Sequence, residues 1–125
     1  MSSETLHEDA DTLGPEVIDR HRAVSSIMEE LEAVDWYDQR AKATANPELR
    51  AILEHNRDEE KEHAAMALEW LRRHDPKLNE HLKTFLFTDG PITGIEKSMA
   101  SGAVEKSEAD TSGSLGIGSL REMPK

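Results

Sequence analysis

The fold is decided at Asn46-Pro47-Glu48-Leu49. Asn46 can cap a helix, Pro47 suits the first helical position because its missing N–H has no helical partner there, and Glu48 favours the positive helix end. These residues therefore close one helix and open the next. Upstream, residues 17–45 contain no Gly or Pro, and Val24, Ile27, Met28, Leu31 and Val34 recur at spacings of three and four. Downstream, from Pro47 to about His74, Leu49, Ile52, Leu53, Ala67, Trp70 and Leu71 repeat the pattern. Two long helices joined by so short a segment form an antiparallel hairpin.

Further punctuation lies on either side. Gly14-Pro15 opens the first helix, Asp75-Pro76 opens a shorter helix with Leu78, Leu82, Phe85 and Leu86 on one side, and Asp89-Gly90-Pro91 stops it. Residues 1–14 read as a disordered N-terminus and 15–97 as one helical domain. Residues 98–114, mostly Ser, Gly, Ala and Glu, read as a flexible linker. At its end stands an apolar cluster, Leu115-Gly116-Ile117-Gly118-Ser119-Leu120-Arg121. Such a tethered segment cannot fold alone but can dock extended into a hydrophobic groove. There is no internal repeat.

Composition bounds what these elements can do. The chain has 125 residues and a formal net charge of -11, with only 24 Leu, Ile, Val and Phe residues, 16 of them within 16–88. A core this small is often completed by oligomerisation. No apolar run is long enough to span a membrane. The acidic N-terminus is unlike a secretory signal, so a soluble cytoplasmic protein is expected. Without Cys there is no disulfide, thiolate chemistry or Cys-ligated metal. The excess of Asp and Glu over Lys and Arg argues against nucleic acid and in favour of cations.

Three polar residues sit on packing faces. The stripe Ile27, Glu30, Val34, Tyr37 includes Glu30, and the stripe Leu49, Ile52, Asn56, Glu60, His63, Ala67, Trp70 includes Glu60 and His63. An inward carboxylate is costly unless something pairs with it. Glu30 lies 16 residues before Asn46, and Glu60 and His63 lie 14 and 17 after it. At a rise of about 1.5 Å per residue, all three reach a level roughly 24 Å from the joint. Carboxylates and imidazole suit iron, manganese or zinc. A di-iron carboxylate bundle takes one Glu from each of two helices and Glu-x-x-His from each of the other two. This chain supplies half of that set, so two hairpins packed face to face would complete a four-helix bundle and a metal pair together. Glu-x-x-His alone arises often by chance; Glu30 in register and the matching stripes favour metal.

The stretches Met28-Glu-Glu-Leu-Glu-Ala-Val-Asp-Trp-Tyr-Asp-Gln-Arg40 and His55-Asn-Arg-Asp-Glu-Glu-Lys-Glu-His-Ala-Ala-Met66, together with Leu115–Arg121, resemble the encapsulated ferritins, ferritin-like proteins packaged inside encapsulin shells. The resemblance covers roughly residues 16–121. It implies an all-α fold in which two-helix protomers dimerise into a ferritin-like four-helix bundle, the dimers forming a ring, commonly a decamer. It implies a ferroxidase that oxidises Fe(II) with oxygen at a di-iron site shared by two subunits, two iron ions per subunit pair, and feeds mineralisation inside an encapsulin nanocompartment. Glu30, Glu60 and His63 match the iron ligands, and Tyr37 matches a tyrosine beside the centre. Glu29 and Glu32 match a site where metal, including other divalent cations, enters from the ring's inner face, with Trp36 close by. Leu115–Arg121 matches the peptide that targets cargo to the shell protein, although four residues follow it here.

The bland readings stand beside these. Glu29, Glu32 and Asp35, spaced by three, also fit a solvated helix edge, Tyr37 fits a core aromatic, and Trp36 and Trp70 fit packing roles. His7, His21, His55, His74 and His81 show no partner pattern. A metal buffer without turnover and a cargo adaptor whose inward Glu and His merely fix an interface are the rival functions. A peroxide-reducing di-iron enzyme would want a redox partner, and no rubredoxin-like Cys motif is present.

Overall fold

The computed structural model describes residues 5–101. Among them are four helices and no strand: α1 (Ala10–Ala43), α2 (Pro47–Arg73), α3 (Pro76–Phe85) and α4 (Ile92–Ser101). No helix there is long and apolar enough to cross a membrane. Two compact units divide between Glu80 and His81, inside α3.

The first unit is the hairpin. α1 and α2 pack along one another, and α2 begins at Pro47. The Asn46 side chain accepts a hydrogen bond from the Leu49 N–H at 2.9 Å, satisfying one of the orphan donors of the new helix. Arg50 reaches back across the joint, its Nε donating to the Ala41 carbonyl at 3.0 Å and its Nη2 to the Thr44 carbonyl. Those acceptors belong to the end of α1, so one side chain ties the close of one helix to the start of the other. Farther along, Arg57 Nη1 donates to Asp38 Oδ1 at 3.0 Å, a second tie from α2 to α1. Arg57 also holds the Asp58 carboxyl below its ordinary range.

At the end of α2, Arg72 grips Glu69 through two parallel hydrogen bonds of 2.8 Å, and its Nη1 donates to Asn79 on α3. Arg73 adds a bond to Glu69 at 2.7 Å. Hydrogen bonds from Arg72 and then Arg73 hold the Glu69 carboxyl at about 2. Asp75 caps α3 by accepting from the Leu78 N–H at 3.0 Å. In the second unit α3 ends at Phe85, and Phe87 has a φ of 61° in the left-handed region and an almost fully exposed side chain.

Two boundaries differ from the sequence reading. α1 starts at Ala10, inside the segment 1–14 expected to be disordered, because the Asp9 carbonyl accepts from Thr12 and Leu13 and nucleates one turn. Gly14, at φ 80° and ψ 166°, then breaks the helix, and Pro15 opens its long part as expected. α4 was not expected, and residues 98–101 of the expected linker belong to it. Ile92, Ile95 and Met99 carry its helical spacing, and the Pro91 carbonyl accepts from the Ile95 N–H at 3.0 Å. The remainder of the linker, and Leu115–Arg121, lie outside the described residues.

Among the described residues, only Ala41, Ala64 and Leu71 are buried apolar side chains. Larger ones stay open, with Leu31 52%, Ile52 51% and Met66 59% exposed. Val17, Val24 and Leu31, seven apart, share one exposed face of α1, while Leu49, Ile52, Met66 and Trp70 are exposed along α2.

Candidate metal centre

Helix geometry sets the level of the site. Glu30 stands 13 residues before the last residue of α1, and Glu60 stands 13 after the first residue of α2. Both helices advance about 1.5 Å per residue, so the two glutamates reach the same height, roughly 20 Å from the joint. His63 follows one turn above Glu60.

The pair on α2 is already assembled. His63 Nδ1 lies 3.5 Å from Glu60 Oε1, with both side chains partly shielded. Two donor atoms bound to one metal at about 2.1 Å stand roughly 3.0 Å apart at a right angle and about 3.4 Å apart at a tetrahedral one. The separation of the pair is thus compatible with a shared ion.

Glu30 gives the sharper signal. Its Oε1 is fully buried and has no hydrogen-bond partner among the described residues. A buried acceptor left unpaired costs on the order of 1–3 kcal/mol, and nearly all buried polar atoms avoid that state. A hydrogen-bond donor or a cation would satisfy that oxygen, and the chemistry of the donor set is compatible with a metal ion. Among the described residues of one chain, no three His, Asp or Glu side chains converge on one point.

The other sequence candidates are placed less tightly. Tyr37 is half-buried on α1, and Trp36 is 49% exposed. The Arg40 guanidinium lies 5.6 Å from the Tyr37 ring centre and 5.8 Å from that of Trp36, so one cation engages both rings. Sequence reasoning missed this contact, whose only signal is the spacing of four and three residues. Glu29 and Glu32 are exposed on α1, as a solvated edge would be.

His55 and His74 are among the histidines that show no partner pattern in the sequence and yet have partners in the structure. His55 Nε2 is 3.9 Å from Glu59 Oε2, and His63 Nε2 is 3.9 Å from Glu59 Oε1. The His74 ring stacks on Trp70 with centroids 3.9 Å apart, its Nδ1 2.8 Å from the Trp70 carbonyl. Spacing of four residues was the available signal in each case.

Fold and comparison now agree on a class. An all-helical chain whose long hairpin carries Glu on one helix and Glu-x-x-His on the other is compatible with a ferritin-like fold, and the profile of the EncFtn-like family matches residues 5–89. The chain belongs to that family. It is 60% identical to the encapsulated ferritin-like protein of Rhodospirillum rubrum, covering 97% of this chain and 91% of that one. It is 49% identical to a ferritin-like protein of Thermotoga maritima, over 94% of this chain and 99% of the relative. A Myxococcus xanthus relative named encapsulin nanocompartment cargo protein EncC is 35% identical, over 77% of this chain and 79% of its own. Among solved structures, protein NE0167 of Nitrosomonas europaea superposes with a TM-score of 0.67 at 57% identity, covering 70% of this chain and 96% of that one.

Proposed function

We propose that this chain is a ferroxidase, oxidising Fe(II) with oxygen at a di-iron site completed by two copies of the hairpin. The buried, unpaired Oε1 of Glu30, level with the Glu60–His63 pair, carries the reading. Each copy contributes Glu30, Glu60 and His63, so a dimer offers four carboxylates and two imidazoles to two iron ions, the donor set of a di-iron carboxylate bundle. Carboxylates suit this substrate because they bind both oxidation states and shift between bridging and terminal modes. Oxygen needs open coordination positions, which a set of six side chains leaves. Tyr37 stands beside the centre, and Glu29 and Glu32, with Trp36 near them, draw Fe(II) or other divalent cations toward it.

The surrounding assembly follows from the same reading. Dimers associate further, as an annular decamer, to cover the apolar faces that single hairpins leave open. Leu115–Arg121 docks the protein on the inner wall of an encapsulin shell in the cytoplasm, and the shell, not the open ring, stores the mineral. The names of the Rhodospirillum and Myxococcus relatives support this placement.

The test is anaerobic loading with Fe(II) followed by oxygen, reading Fe(III) absorbance beside a Glu30→Ala/His63→Ala control. Rapid oxidation by the wild type but not the control is expected. Equal, slow oxidation in both would leave a metal-binding or cargo protein in its place.

A further inference from the structure

The metal candidates on α2 do not account for Glu59. Its carboxylate lies between two imidazoles, with Oε2 3.9 Å from His55 Nε2 and Oε1 3.9 Å from His63 Nε2. The three residues stand four apart, on one stripe of the helix. His63 therefore has a different carboxylate beside each ring nitrogen: Glu60 at 3.5 Å from Nδ1 and Glu59 at 3.9 Å from Nε2.

That arrangement bears on which nitrogen holds the proton. An imidazole can bind metal through Nδ1 only if its proton is on Nε2. Glu60, being close to Nδ1, pulls the proton toward the nitrogen that must be bare for an ion shared with Glu60. An acceptor at Nε2 pulls the opposite way. A hydrogen bond of about 2.9 Å requires Glu59 to move about 1 Å nearer, a small rotation for a half-exposed glutamate. His55 lies against the other carboxylate oxygen, Oε2, and not against Oε1.

We infer that Glu59 is a positioning residue of the proposed metal centre: it accepts the Nε2–H of His63 and so holds the ring in the tautomer and orientation that turn Nδ1 toward Glu60. The inference rests on the metal-site reading above. Ligating histidines commonly donate their second N–H to a carboxylate, and loss of that partner typically weakens metal affinity about 10- to 100-fold. Glu59 touches no substrate; it acts through His63.

The experiment uses the full chain, with Glu59→Ala and Glu59→Gln. In metal-free protein, side-chain nitrogen NMR of His63 reads the tautomer. The wild type should show the proton on Nε2, Glu59→Ala should move it toward Nδ1, and Glu59→Gln, which keeps a carbonyl acceptor, should restore part of the wild-type pattern. Titration with Co(II), an oxygen-stable probe for Fe(II), should then show affinity about 10- to 100-fold weaker in Glu59→Ala and an intermediate value in Glu59→Gln. A wild-type tautomer and wild-type Co(II) affinity in Glu59→Ala would overturn the role of Glu59 while leaving the metal site standing. Co(II) titrations that His63→Ala leaves unchanged would overturn both readings, and the tautomer spectra would still show whether Glu59 and His63 are coupled.

Discussion

Replacing Glu30 by Met should stabilise the protein when metal is absent and remove its response to metal when metal is present. The structure sets the size of the first effect. Glu30 Oε1 is buried and unpaired among the described residues, a state costing about 1–3 kcal/mol. Met is close to Glu in length and helix propensity, so the substitution removes the orphan acceptor without a backbone penalty. For a domain near this size, 1 kcal/mol moves the melting temperature by roughly 4–8 °C. The assay is thermal unfolding by circular dichroism in chelator, at matched protein concentration because oligomerisation contributes to stability. In a second scan, anaerobic Co(II) at about 1,000 times its Kd should raise wild-type stability by about 4.1 kcal/mol and leave the variant unmoved. The two curves should therefore change order between the scans. A Glu30→Met protein that melts below the wild type in chelator would refute the reasoning, since it would mean that the carboxylate has a stabilising partner of its own.

Other residues yield independent expectations. Arg50→Ala should destabilise the hairpin by about 1–2 kcal/mol, seen as a lower urea midpoint, because the Ala41 and Thr44 carbonyls each lose a donor. Glu69, held at about 2 by Arg72 and Arg73, has a folded pKa below its ordinary 4.5. Its contribution is thus complete above about 4.5 and is lost as pH falls toward 2, so Glu69→Gln should flatten the acid side of the stability profile in that window. Removing residues 115–121 should leave melting and Fe(II) oxidation unchanged while abolishing co-purification with a co-expressed encapsulin shell protein.

Parts of this fold were legible because the signals are local. Asn46-Pro47 and Asp75-Pro76 each place a capping side chain and a preset φ at adjacent positions, and α2 and α3 begin at those prolines. α4 went unread because Gly94 and Ser98 dilute the helical apolar spacing of Ile92, Ile95 and Met99, and the linker reading begins at residue 98, inside the helix. The turn before Gly14 rests on backbone acceptance by Asp9, which leaves little trace in composition. Periodicity singled out Glu30, Glu60 and His63 as candidates because each interrupts an apolar stripe. It gave no signal for Glu59, which lies beside the stripe and 3.9 Å from Nε2 of His63. It overlooked Arg40 for a similar reason, since a cation over two rings interrupts no hydrophobic pattern.

The thin core and the proposed half-site have one consequence in common. On α2, Ile52, Met66 and Trp70 lie within about 120° of Glu60 and His63 around the helix axis, so a partner covering that apolar stripe also covers the donors. Burying the open remainder of each large apolar side chain contributes on the order of 1 kcal/mol, which favours association with or without metal. Opposing it, the proposed dimer gathers Glu30 and Glu60 from both copies, four carboxylates in one interior, and like charges in a low-dielectric setting repel strongly. A bound cation pair removes that opposition and leaves the apolar gain. Dimerisation should therefore tighten when Co(II) is added and loosen in chelator, read by sedimentation velocity across a dilution series. Glu30→Met, with two of the four carboxylates gone, should dimerise in chelator more tightly than the wild type and gain little from Co(II). If the wild type dimerises equally with metal and with chelator, the carboxylates do not meet at the interface, and the split-site reading fails.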